Sequence, residues 1–319
     1  MRSIAFINQK GGVGKTTSAV NVAAALSRVG RRVLLVDLDP QSHASLHLGL
    51  QPADGEITVY DVLVRGAPLA EAARFADQRL TVVPSNIHLV GAEVELVSTP
   101  ERERCLLRAI SPHRENFDVL VVDCSPSLGL LTVNALACVG EVIIPLQPHF
   151  LALQGLGRLL ETITLVRSHI NPELRVLGVL MCMYERGTRL AQEVIDDVRG
   201  FLAAATPEQP WSGARVFRTL IRRNIKLAEC PSFGQSIFTY APGSHGAEDY
   251  AALAAELTSD GAPQDGIVAA ATADAYAAPL IPEAARAIAA TDSASTAAAR
   301  PESAPAEPAA AAGESPSPP

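Results

Sequence analysis

With 319 residues, 48% of them apolar but only 4% aromatic, the chain can build one large or two ordinary domains around an aliphatic core. No apolar run nears the roughly 18 residues of a membrane span. The N-terminal apolar stretch is too short for a signal peptide, and the five cysteines lack CxxC spacing, so a soluble cytoplasmic protein is expected. Of the net charge of −8, the seven acidic and two basic residues from Ala262 onward account for −5, which leaves room for a local polyanion-binding face elsewhere.

In chain order, "SIAFIN", "RRVLLVD", "FDVLVVD", "EVIIPLQ" and "LRVLGVLMC" have the length and β-branched content of strands buried on both faces. Amphipathic stretches at 15–29, 101–113, 151–169 and 188–202 read as helices between or after them. This alternation predicts an α/β fold, a doubly wound, mostly parallel sheet flanked by helices, with residues 1–258 as one domain. From 261 to 319 the composition turns to Ala, Pro, Ser and Glu, has little to bury, and is expected to be a disordered acidic tail. There are no repeats of solenoid period. Sites in such sheets lie beyond the carboxyl ends of strands, where segments 8–15, 37–41 and 123–127 fall.

The first segment holds two of the three lysines in the chain, Lys10 and Lys15, inside one glycine-rich turn. Gly11, Gly12 and Gly14, with Val13 between them, let the backbone curl so that successive N–H groups point inward. Lys15 adds a mobile positive charge, and Thr16, followed by Thr17, opens a helix with a hydroxyl suited to Mg²⁺. A triphosphate needs this arrangement, although the strict pattern GxxxxGK[ST] fails because Gln9 stands at its first glycine. In "LLVDLDPQ", Asp37 and Asp39 are two residues apart and can aim at one site. In "VLVVDCSPSLG", Asp123 closes a strand with the carboxylate that a water-rich Mg²⁺ shell prefers.

"KGGVGKTT" resembles the deviant P-loop of the MinD/ParA-type ATPases, and with the two aspartate segments the chain resembles their ParA/Soj branch over residues 1–258. The resemblance implies ATP and Mg²⁺ as cofactors. Lys15 would hold the phosphates of its own nucleotide, and Lys10 would reach across a dimer interface to the partner's. Asp39 would orient the attacking water, Asp37 would support it, and Asp123 with Thr16 would hold Mg²⁺. Ser125 stands where the family usually has proline. "LIRRNIKLAECPSFGQSI" resembles the PRNxRLSEAPS segment of the branch, with Asn224 matching the adenine reader and Pro231 lying near the base. Arg222 replaces the usual proline there, and Lys226 the usual arginine. By the same resemblance Arg222, Arg223 and Lys226, with Arg186 and Arg189 from "YERGTRL", form a face that binds double-stranded DNA without regard to sequence.

The function implied is a slow partitioning ATPase that dimerises on ATP, coats the nucleoid, and is stimulated by a ParB-type partner to position chromosome or plasmid DNA. Three alternatives stand beside it. A MinD-like membrane positioner would need a basic amphipathic C-terminal helix, whereas 261–319 is acidic and proline-broken. A positioner of protein cargo would share the mechanism, and a metabolic P-loop ligase would share only the phosphate site. His43 and His47, spaced i, i+4, lack a third ligand and are set aside. Cys124 beside Asp123 resembles the iron protein of nitrogenase, but no second interface cysteine is legible.

Overall fold

Short aliphatic runs that alternate between two apolar faces can be satisfied only by a sheet covered on both sides. The computed structural model describes residues 1–149, 152–185, 187 and 189–259, so Arg186 and the predicted tail at 261–319 lie outside the described residues. The strands are β1 (Arg2–Phe6), β2 (Val33–Leu38), β3 (Arg74–Asp77), β4 (Leu80–Val83), β5 (Val119–Cys124), β6 (Glu141–Leu146), β7 (Arg175–Met181) and β8 (Arg215–Val216). They form one eight-stranded sheet in the order β3-β4-β2-β5-β1-β6-β7-β8. Every pairing is parallel except that of β3 with β4 at one edge.

Alternation along β2 shows the double winding directly. Leu34, Val36 and Leu38 enter one core, and Val33 and Leu35 enter the other. The second core is closed by α1 (Lys15–Arg28) through Ala19 and Val22, joined by α2 (His43–His47) through Ala44. The first core takes in α3 (Leu69–Ala72) through Leu69, α4 (Leu89–Glu95) through Leu89 and Ala92, and α5 (Cys105–Ile110) through Leu106. It also takes in α6 (Leu130–Cys138) through Leu131, α7 (Ala152–His169) through Leu159 and Ile163, and α8 (Arg189–Ala203) through Val194 and Val198. The chain then returns to the second core with α9 (Ile225–Glu229), α10 (Ile237–Tyr240) and α11 (His245–Ser259), which bury Leu227, Ile237 and Tyr250.

The five expected strands are all present, but β3, β4 and β8 join them. The expected helix at 101–113 breaks into a 3-10 turn, α5 and a second 3-10 turn. Arg104, at φ −117° and ψ 12°, leaves helical geometry between the first turn and α5, and Pro112 supplies no amide to the second turn. Among the described residues no helix is long and apolar enough to cross a membrane.

The sheet order also fixes the site. β1 is flanked by β5 on one side and β6 on the other, so the loops after β1, β2 and β5 open on the same edge. The parallel register sets Asp37 beside Asp123, and Phe6 beside Asp123 on the other flank.

Candidate nucleotide site

The turn after β1 is shaped by Asn8, whose amide donates to Pro145 O at 2.7 Å while its Oδ1 accepts from Lys10 N at 3.0 Å. Gly12 and Gly14 then take φ of 72° and 92°, left-handed values that favour glycine. Gly14 caps α1 without any side-chain hydrogen bond, so the helix presents its first amides and the positive end of its dipole to the cleft. Lys15 is nearly buried, and its Nζ donates to Lys10 O at 3.1 Å. Burial lowers its pKa, partly offset by Asp123 and Asp39.

Three carboxylates gather at the neighbouring strand ends, and two of them, Asp123 and Asp39, act on this lysine. Asp37 is fully buried and saturated: it accepts from Asp39 N at 3.1 Å, Ser45 N at 2.9 Å and Ser45 Oγ at 2.7 Å. Burial still raises its pKa to about 6 against those hydrogen bonds. Asp123, also fully buried, has no hydrogen-bond partner for either oxygen among the described residues. Burial first, then Asp37, push its pKa well up; Thr16 is near enough to oppose the rise but completes no hydrogen bond. Asp39 is 6% exposed and accepts from Gln41 N at 2.9 Å, which fixes the turn leading into α2. A buried carboxylate with two idle oxygens, flanked by a second carboxylate and a threonine hydroxyl, fits a hard divalent cation bound through water.

The cleft in front of these groups has a volume of ≈ 740 Å³. One wall is the glycine loop with Lys15, Thr16 and Thr17; Asp39, Gln41 and Pro126 close its end. Met183, Ile221, Asn224, Ile225 and Leu227 also line it, as does Cys182, which packs against Gly14 of the glycine loop. Asn224 caps α9 by accepting from Lys226 N at 2.8 Å. The apolar groups around it, at the end of β7 and the start of α9, make a slot fit for a flat ring. Cys182 and Met183 were not singled out from sequence, although the strand-end rule applied to "LRVLGVLMC" points at them.

Residues 1–176 match a protein-family model described as "AAA domain". The chain is 45% identical over 259 residues to the sporulation initiation inhibitor protein Soj of Bacillus subtilis, covering 81% of this chain and 98% of that one. It is 44% identical over 257 residues to the chromosome partitioning protein ParA of Myxococcus xanthus, covering 80% and 87%. This chain belongs to the ParA/Soj family of partitioning ATPases.

Solved structures agree with the fold. A Mycobacterium smegmatis protein named cobyrinic acid a,c-diamide synthase, with bound ADP and magnesium, superposes with TM-score 0.68 at 37% identity, covering 81% of this chain and 94% of that one. The ATP complex of a McdA variant from Cyanothece shares the fold at 20% identity and TM-score 0.70, with 81% and 96% covered.

Against the ParA/Soj pattern, Lys10 stands apart from Lys15. It is exposed, does not line the cleft, and its Nζ contacts His149 Nε2. Pro231 sits in the 3-10 turn behind α9 and also does not line the cleft. Ser125, at the family's proline position, is 6% exposed and shares a 2.9 Å hydrogen bond with Ser127, a tie that restrains the loop.

The four basic candidates for DNA all meet carboxylates. Arg222 is clamped by Asp249 and Glu248, which raise its pKa, and its backbone N also donates to Asp249. Arg223 pairs with Glu185 at 2.8 Å, Lys226 with Glu229 at 2.9 Å, and Arg189 with Glu193 at 2.9 Å. The last three pairs are exposed and worth little, so their cations remain exchangeable. Arg222, bidentate and half-buried, is held far more firmly.

His43 lines the cleft, whereas His47 is buried with Nε2 3.3 Å from Cys230 Sγ. No cluster of potential metal ligands of the His/Cys/Asp/Glu type occurs among the described residues. Cys124 is packed in the first core, and burial holds its thiol well above the usual range.

Proposed function

We propose that the cleft binds MgATP and that the ATP state pairs two copies of the chain into a DNA-binding dimer, which a ParB-type partner returns to the monomer by stimulating hydrolysis. The observation that carries this reading is the division of labour between the two loop lysines. Lys15 is pinned inside its own cleft, while Lys10 stands exposed outside it, a difference that supports a role for Lys10 at a nucleotide held by a second copy.

Within one copy, the first amides of α1 and the Lys15 ammonium hold the phosphates, and the slot beside Asn224 takes the base. Thr16 and Asp123 would hold Mg²⁺, which supplies charge neutralisation on the phosphates. Asp39, fixed by Gln41 N, orients the attacking water, and Asp37 holds Asp39 N in place. Lys10 then adds positive charge to the partner's site, where hydrolysis builds negative charge.

Arg223, Lys226 and Arg189 are the cations offered to DNA phosphates, and Arg222 fixes the segment that carries Asn224, so the nucleotide wall and the basic rim move together. Such a protein works in the cytoplasm, on the nucleoid. The test is fluorescence anisotropy on two unrelated duplexes with ATP, ADP or no nucleotide across a salt series. Expected are ATP-dependent, sequence-indifferent binding and a log–log salt slope near −0.9 per phosphate contact. Arg223→Glu with Lys226→Glu should remove DNA binding and leave ATP-dependent dimerisation intact. Binding that ignores ATP, or none at low salt, would put a protein-cargo positioner first. The amide-synthase name of the Mycobacterium smegmatis neighbour makes an ATPase assay with and without small carboxylic acids the matching control.

A further inference from the structure

Glu93 lies on α4, a short helix in which only Leu89 and Ala92 are buried. Its Oε1 is fully shielded from solvent and has no hydrogen-bond partner among the described residues. The carboxylate is seated against Gly129: a Cβ at that position would overlap it, standing 2.6 Å from Cδ and 2.8 Å from Oε2. Gly129 has φ −80° and ψ −168°, an extended conformation open to any residue, so glycine is required there for space and not for backbone freedom.

Gly129 is also the N-cap residue of α6 and offers no side chain to cap it. A carboxylate at that spot faces the positive end of the helix dipole. The seat joins the site directly. Segment 125–129 connects Asp123 to α6, and Pro126 within it closes the end of the cleft. Its middle is tied by the Ser125–Ser127 hydroxyl pair and by Thr132 Oγ1, which donates to Ser127 O at 2.6 Å. Its last residue is met by Glu93. The approach to α4 touches the other carboxylate loop as well: Ser85 N donates to Ser45 Oγ at 3.0 Å, and Ser45 Oγ donates to Asp37.

We propose that Glu93 is a positioning residue for ATP hydrolysis, holding the 125–129 connection so that Pro126 and Asp123 keep their places at the phosphate end of the cleft. The proposal rests on the ATPase assignment and gives a role to a residue outside the glycine loop, the two aspartate segments and the Asn224 segment.

The experiment measures single-turnover ATP hydrolysis and nucleotide affinity on full-length chains whose folding is checked by circular dichroism. Glu93→Ala is expected to hydrolyse about tenfold more slowly with ATP affinity within about twofold, because the interaction lost is one that matters to the transition state. Glu93→Gln keeps the shape and one acceptor oxygen, and should retain most of the rate. Gly129→Ala should match Glu93→Ala, since the new Cβ displaces the carboxylate, and the double variant should be no slower than either single. Val94→Ser, on the exposed side of the same helix, should leave every quantity unchanged. Normal rates in folded Glu93→Ala and Gly129→Ala, additive losses in the double variant, or a parallel fall in affinity would each overturn the proposal. If the unmodified chain binds ATP but never hydrolyses it, the ATPase assignment falls and takes the proposal with it. Normal hydrolysis there with indifferent variants removes the Glu93 role alone.

Discussion

Asp123 illustrates a cost borne by one residue for the sake of a ligand. Leaving a buried polar group without a partner costs roughly 1–3 kcal/mol, and more if it is charged. Asp123→Asn should therefore raise the melting temperature of the nucleotide-free protein by a few degrees, since ~1 kcal/mol moves a domain of this size by roughly 2–4 °C. The same variant should lose Mg²⁺-dependent hydrolysis. Differential scanning fluorimetry would show the first and a phosphate-release assay the second; a lowered melting point would contradict the account of Asp123. Around it the lysines should separate cleanly. Lys15→Ala should abolish ATP binding, Lys10→Ala should bind ATP but stay monomeric, and Asp39→Ala should bind ATP and accumulate as dimer, with affinity read by a fluorescent ATP analogue and oligomeric state by size-exclusion chromatography. Lys15, Asp39 and Asp123 were legible in the sequence because each lies within a motif whose parts are adjacent in the chain. The engagement of Arg222 was not, because its partner Asp249 lies 27 positions away. The contact of Glu93 was not legible for a similar reason, because its counterpart, Gly129, is a glycine on another element.

Among the elements, α2 carries a pH dependence opposite in sign to that of β2, where burial raises the Asp37 pKa to about 6. Burial lowers the His47 pKa from 6.5 to about 4, so the folded protein prefers the neutral ring more than the unfolded chain does. The stability this contributes is complete above pH 6.5 and is lost as pH falls through the window down to about 4. The loss is on the order of 3 kcal/mol at the bottom of the window. His47→Gln should flatten the melting-temperature profile between those limits, measured in buffers of matched ionic strength; a slope equal to that of the unmodified chain would exclude His47 as its source. Element legibility followed length and polarity. β1, β2, β5, β6 and β7 are five to seven residues long, nearly all aliphatic, and were read directly. β3 and β4 have four residues and β8 only two, too few to display a period, and they form through the neighbours that pair with them. Gly178 is part of that pairing, because any side chain there would meet Arg215 O.

At the scale of the molecule, the sheet order brings the loops after β1, β2 and β5 to one edge, so three segments far apart in sequence become a single site. The doubly wound class was legible because strand and helix patterns alternate; the sheet order was not, because pairing is a property of space. Among the described residues, Leu257 on α11 is the last to enter a core. Truncation after Asp260 should accordingly leave ATPase activity and melting temperature unchanged, and a drop of several degrees would mean that 261–319 contributes packing.

Lysine scarcity gives the molecule a chemical address. Lys10, Lys15 and Lys226 are the three lysines of the 319-residue sequence, and all three belong to the glycine loop or to the helix that faces it across the cleft. An amine-directed acylating reagent has no other side-chain lysine to modify, because the remaining positive charge is carried by arginine. Lys10 and Lys226 are exposed and open to the reagent, whereas Lys15 is shielded by burial despite its lowered pKa. Covalent labelling followed by peptide mass mapping would therefore report, beside the N-terminal amine, on the cleft and its rim: under the proposed function a nucleotide would cover Lys15, a second copy Lys10, and a polyanion Lys226. Three mass increments would trace the cycle without a single engineered tag.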